Sequence, residues 1–292
     1  MSGGFSPNLL ADLREMWSLP FMLNAFRAGT IVAVLAAMVG WFMVLRRQSF
    51  AGHTLAVVGF PGAAAAVWLG IGLASGYFAF CLAAALIIAG LPPRGSRGYP
   101  EQSAVIGTVQ AFALASGMLF VTLYKGFLNG TNALLFGSFL GITTGQVTTL
   151  AAVAVVALAV LAGIGRPLLF ASVDADVATA RGVPTRALGA VFQLLLGATA
   201  AEVSQITGAL LVFALLVLPP ATAQLLTPRP ARSLALSVVL AVVTVWVALF
   251  IAYYSPYPIG FWLTTIAFGL YALTYGATRV GTGAGRPLPV GA

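Results

Sequence analysis

The chain has 292 residues, of which 60% are hydrophobic and only 7% charged. Soluble globular proteins carry about a quarter charged residues, so this composition excludes a water-soluble fold and makes lipid the solvent for most of the chain. The net charge of +8 comes from basic residues placed singly or in pairs at the ends of apolar runs; that is the positive-inside pattern, and it excludes a nucleic-acid-binding face.

Residues 1–19 hold Asp12, Arg14 and Glu15 and no continuous apolar stretch, so no cleaved signal peptide is expected. Leu9, Leu10, Leu13, Met16 and Trp17 recur at helical spacing and predict a short amphipathic segment on the outer surface. Apolar runs of membrane-spanning length follow at 26–45, 53–73, 75–91, 102–124, 146–164, 187–204, 206–226, 233–254 and 258–277. The third is short. The sixth and seventh are parted only by the polar stretch around Glu202, Ser204 and Gln205, so eight spans with a broken piece fit nearly as well. The expected fold is an all-α polytopic membrane protein of about eight to nine transmembrane helices. Residues 20–278 form one transmembrane domain and 279–292 a flexible tail.

With nine spans and the N-terminus outside, one side receives Arg46, Arg47, Arg94, Arg97, Arg166, Arg181, Arg186, Arg229, Arg232, Arg279 and Arg286. The other receives Arg14, Arg27 and Lys125. Eleven against three places the C-terminus and the 165–186 loop in the cytoplasm.

Several local features accompany the spans. Gly59, Pro61 and Gly62 interrupt the second one, either as a packing kink or as an opening of its backbone. Residues 125–145 read as an outer loop or short re-entrant helix. Within them Gly137, Gly141 and Gly145 give two overlapping small-residue spacings suited to close helix contact. Pro219 and Pro220 predict a kink in the seventh span. Trp246, Tyr253, Tyr254, Tyr257 and Trp262 read as an interfacial belt.

The scarcity of polar chemistry excludes most enzymes. The single lysine, in LYKGFLNG, follows no phosphate-binding loop, so the chain does not hydrolyse ATP. One histidine cannot build an intramembrane zinc protease, and one histidine with one cysteine cannot hold a haem or an iron–sulfur cluster. No Gly-x-Ser-x-Gly elbow is present, and the lone Cys81 forms no intrachain disulfide. No bound cofactor is expected. The chain moves something or scaffolds other membrane proteins, and its energy comes from an ion gradient or a partner.

Residues 166–191, RPLLFASVDADVATARGVPTRALGAV, carry the clearest local pattern. Asp174 and Asp176 favour a helix start over 176–181, Gly182 can end it in a left-handed conformation, and Pro184 prevents its continuation. The result is a two-turn cytoplasmic helix, slim because of Ala178 and Ala180, that is either an ordinary capped loop or an element that docks in a partner's cleft.

An acid followed by ARGV resembles the coupling-helix region of the metal-type (zinc/manganese) ABC transporter permeases. Three further stretches are similar to that family in the expected order: PFMLNAFRAGTIVAVLAAMVGWFMVLRRQSFAG, LLFGSFLGIT and ITGALLVFALLVLPPATAQLLT. The resemblance covers about residues 20 to 276. It implies a type II importer architecture in a bacterial inner membrane: two permeases, as a homodimer or a pair, form the pathway. A separate ATPase subunit supplies ATP hydrolysis, and an extracytoplasmic lipoprotein delivers zinc or manganese. Residues 172–184 would be the coupling helix, with Asp174, Asp176, Ala178, Arg181 and Gly182 meeting the ATPase.

Relatives of that type place an aspartate after the arginine pair and a histidine four residues on, on one helix face. Here His53 stands at the first position and Val57 at the second. The metal candidates are therefore His53 and Glu202, the one acid in the apolar stretch 187–226. An ionisable group there is costly unless it faces a cavity or a partner. Equally open readings are a helix-start histidine bonded to a backbone carbonyl and an outer-turn glutamate in water. A related permease with another substrate, and a scaffold or gradient-driven transporter without an ATPase, are the alternatives.

Overall fold

The computed structural model describes residues 16–90, 99–124, 137, 139–209 and 211–282. The described part is helical: α1 Pro20–Leu45, α2 Ser49–Leu69, α3 Leu73–Ala89, α4 Tyr99–Leu123, a 3-10 turn Phe139–Gly141, α5 Thr144–Val173, α6 Ala175–Ala180, α7 Thr185–Thr207, α8 Val212–Leu226, α9 Pro230–Tyr254 and α10 Ile259–Thr282. Seven of these are long and apolar enough to cross a membrane, and α3 and α8 are shorter apolar helices. Among the described residues the nine predicted spans therefore each correspond to a helix, in order. The predicted outer segment, apart from residues 16–19, and residues 283–292 of the tail lie outside the described residues, as do Arg94, Arg97 and Lys125.

α1 sits at the centre, packed against α5, α7, α8 and α9. On one side α2, α3, α4 and α7 form a cluster, and on the other α8, α9 and α10 do. Lipid tails are as apolar as leucine, so burial alone does not drive helices together in a bilayer; close packing and interhelical hydrogen bonds do. Both are visible. α1 and α9 run antiparallel and are joined three times: Trp41 Nε1 donates to Ser233 Oγ (2.9 Å), Ser237 Oγ to the Ala37 carbonyl (3.3 Å) and Trp246 Nε1 to Thr30 Oγ1 (2.8 Å). α2 and α3 touch backbone to backbone where Gly62 meets Gly76, and α1 meets the α8 backbone where Gly40 lies on the Leu216 carbonyl. A Cβ at position 40 has no room, because the obstructing atoms are main chain. Gly40→Val is expected to cost on the order of 3 kcal/mol of overpacking. Its signature is loss of the monodisperse peak in detergent size-exclusion chromatography; a wild-type profile and melting temperature would contradict the close contact.

Three boundaries differ from the sequence expectation. The fifth span, predicted to end at residue 164, continues through Arg166 and Pro167 to Val173. Charge marks where a bilayer ends and not where a helix does, and Pro167 removes only one ladder hydrogen bond. The polar stretch at residues 202–205 does not part the sixth and seventh spans. Ser204 and Thr207 return their hydroxyls to the carbonyls of Ala200 and Val203, which lets α7 continue. The break comes at Gly208, whose φ of 75° and ψ of 156° are open essentially to glycine alone. Residues 279–282, assigned by the sequence to the tail, belong to α10, which runs to Thr282.

The glycine spacing 137–141–145 does not form a helix face. Gly137 has a positive φ, Gly141 closes the 3-10 turn and Gly145 opens α5. Residues 125–136 of the predicted outer segment lie outside the described residues. α2 runs unbroken through Gly59, Pro61 and Gly62, and α8 runs through Pro219 and Pro220.

Candidate functional site

The predicted loop helix is α6. The Asp174 carboxylate accepts from the Val177 amide (2.9 Å) and caps its start. At the other end the Gly182 amide donates to the Thr179 carbonyl (2.9 Å) and the Val183 amide to the Ala178 carbonyl (3.0 Å). These two bonds are a Schellman closure, and it requires the left-handed φ of 81° that Gly182 adopts. Asp174, Asp176, Arg181 and Gly182 are exposed, whereas Ala178 is fully buried against the chain itself. Ala178 thus fixes α6 to its own bundle, and the outward face carries the two acids, Val177 and Arg181.

The root of α6 is tied to the α1–α2 turn. Arg46 Nη1 donates to Ser172 Oγ (3.1 Å), two residues before Asp174, and the guanidinium lies 5.5 Å from the centre of the Phe192 ring on α7. The next residue, Arg47, has a φ of 54°, the one positive value at a non-glycine position among the described residues. Three elements therefore meet at Arg46: the end of α1, the α5–α6 junction and the first turns of α7. The arginine pair was legible as a topology signal; this contact was not.

His53 lies one turn into α2. It is half-buried and stacks edge-to-face on Phe213 at the start of α8, with ring centroids 5.0 Å apart. Its Nδ1 is buried and makes no hydrogen bond, so that nitrogen is not bonded to a backbone carbonyl. Val57, on the next turn, is 4% exposed. Nearby, Thr54 Oγ1 donates to Gln110 Oε1 on α4 (3.0 Å).

Glu202 is fully buried within α7, and neither carboxylate oxygen has a hydrogen-bond partner. The reading of an outer-turn glutamate in water does not hold. Nor does the chain bring Glu202 to His53. Ser204 lies against Gly59 of α2, and residues two apart on a helix point about 200° apart. Glu202 therefore faces away from the helix that carries His53. Their depths are closer than the predicted spans implied, since Gly59 and Ser204 share a level only a turn and a half beyond His53.

Among the described residues no three His, Cys, Asp or Glu side chains group as metal ligands. Sequence reasoning missed Gln193, which is buried on α7 with an unpartnered Oε1. An amide inside an apolar membrane run was the available signal.

Residues 18–276 match the model of the ABC 3 transport family. The chain is 31% identical over 246 residues to the probable iron transport system membrane protein of Haemophilus influenzae, covering 84% of this chain and 86% of that one. It is 29% identical over 246 residues to the chelated iron transport system membrane protein of Yersinia pestis, covering 84% and 82%. It is 25% identical over 268 residues to a manganese transport system membrane protein of Halalkalibacterium halodurans, covering 92% and 91%. Among solved structures it superposes on PsaBC from Streptococcus pneumoniae with a TM-score of 0.81 at 24% identity, covering 91% of this chain and 95% of that one.

Proposed function

The chain belongs to the ABC 3 transport family of metal-type ABC permeases, and on that premise we propose that it conducts a divalent transition metal, zinc or manganese, into a bacterial cell as one half of a paired permease. A separate ATPase docks on α6, and an extracytoplasmic lipoprotein delivers the substrate. The N-terminus lies outside and the C-terminus in the cytoplasm. The observation that carries this reading is the family match over residues 18–276. α6 supports the docking role: a helix of six residues, closed at both ends by its own hydrogen bonds, presents Asp174, Asp176 and Arg181 outward, with Gly182 setting its end. The manganese and iron transport functions named for the relatives favour a first-row divalent ion.

His53 is the proposed pathway ligand on α2, and Glu202 is a second candidate on α7 that does not share its site within one chain. A lone imidazole holds a divalent cation weakly, because borderline ions favour several nitrogen and oxygen ligands together. The buried Val57 therefore favours a second reading, in which the metal travels in chelated form.

Deletion of the gene followed by elemental analysis of the cells tests both. The first reading expects cellular manganese or zinc to fall several-fold when the free ion is supplied. The second expects a fall only when the metal is supplied as a chelate. Unchanged metal content under both regimes would remove the transport assignment.

A further inference from the structure

At the end of the bundle opposite Arg46 and Arg47, α1, α5 and α9 enclose an open groove of about 440 Å³. Trp17, Phe26, Ile31, Val147 and Trp246 make its walls apolar, and Arg27 supplies the one charge among the described lining residues. The walls are set in place. Trp246 is held by its hydrogen bond to Thr30 and packs edge-to-face on Phe26, with centroids 5.8 Å apart. Trp17 is 53% exposed at the rim.

The depth is set by neighbouring polar groups. Asn24 Nδ2 donates to the Ile142 carbonyl (3.1 Å), and Thr143 and Gln146 form the capping box that starts α5. That polar layer lies about 4.5 Å, three residues of helix rise, outward of Arg27. Arg27 is thus a cation just beneath the polar edge of an apolar groove, flanked by two indoles of the kind that settle at the membrane interface. No hydrogen bond or ion pair occupies its guanidinium among the described residues. The acids described there are far off: Asp174 and Asp176 are at the opposite end and Glu202 is buried in α7.

We propose that this groove binds one anionic glycerophospholipid, with its phosphate on Arg27 and an acyl chain along Ile31 and Val147. A fork of guanidinium donors suits a phosphate. A zwitterionic headgroup carries an ammonium group that the Arg27 charge repels. A second copy of the chain is disfavoured as the occupant, because an isologous contact would bury Arg27 against a patch whose described residues offer no acid to pair it.

The test uses the full chain in mild detergent with defined lipid added. Wild type is expected to retain one dioleoyl phosphatidylglycerol per chain by native mass spectrometry, at least fivefold over dioleoyl phosphatidylethanolamine. Arg27→Gln should abolish that preference while leaving the elution profile unchanged. Ile31→Trp should fill the groove and lower retention of both lipids. The proposal is overturned if Arg27→Gln keeps the preference, if inorganic phosphate alone displaces the lipid, or if Ile31→Cys chains cross-link to each other in lipid-replete membranes. Cys81, the only native cysteine, is buried and does not compete.

Discussion

Replacing Asp174 with Ala and Gly182 with Val together should detach the ATPase and lower metal uptake at least tenfold without unfolding the bundle. A helix of six residues has no stability of its own, since even isolated helices of about 12 residues are marginal in water. α6 holds its shape through its two ends and through Ala178. The Asp174 cap contributes about 1 kcal/mol, and a β-branched side chain forced into the left-handed region of Gly182 costs about 1–2 kcal/mol. Together these lower the ordered population by roughly one to two orders of magnitude, at about 1.4 kcal/mol per tenfold. The spans keep their packing, because α6 packs mainly on α5, with a smaller contact to α7. Two measurements check this: co-purification of the ATPase in mild detergent, and the melting temperature of the isolated permease. Asp174→Ser restores a side-chain acceptor at the cap and should recover most of the association. Wild-type uptake in the double variant would sink the docking role of α6.

His53→Leu should raise or preserve stability while lowering uptake at least tenfold. The two readouts separate a working histidine from a structural one. The His53 Nδ1 is buried with no partner, and an unsatisfied buried polar atom costs about 1–3 kcal/mol. Leucine keeps apolar contact with Phe213 and removes that cost. A histidine kept for packing would leave uptake intact when replaced in this way, and such a result would falsify its place in the pathway. The companion variant Val57→His restores the i, i+4 face on which two ligands converge. It is expected to tighten metal retention by the purified permease, read by elemental analysis after dialysis.

The order and number of apolar helices were legible because membrane spans are written in composition and in the placement of arginines. The ends of α6 were equally legible, because Asp174 and Gly182 act through the backbone immediately beside them. Two of the boundaries failed because a polar or charged side chain was read as a helix end. Ser204 and Arg166 look like helix-ending residues in water, but a hydroxyl can bond back to its own helix, and an arginine can stand on a helix that has left the bilayer. The relation of His53 to Glu202 was not legible for another reason. It depends on how α7 is rotated about its axis, which is fixed by the close approach of Ser204 to Gly59 and of Gly197 to the Cys81 backbone. Local sequence does not encode contacts between helices so distant along the chain. The Arg46–Ser172 link, 126 residues long in sequence, was hidden for the same reason.

The seam between α1 and α9 limits how the molecule can move. Three cross-helix hydrogen bonds, at Trp41, Ala37 and Thr30, are spread along about half the length of both helices. Each is worth about 0.6 kcal/mol in a membrane, but sliding or rotating either helix breaks all three at once. The pair is therefore held at three levels that must give way together. α8 is fastened to the same core, because Gln224 Nε2 donates to the Trp41 carbonyl (2.9 Å) and the Leu216 carbonyl lies against Gly40. α8 has 15 residues, about 22 Å of helix, against a hydrocarbon core of about 30 Å. Phe213, against which His53 packs, therefore stands near the head of a short helix that is tied to α1, five residues after the break at Gly208.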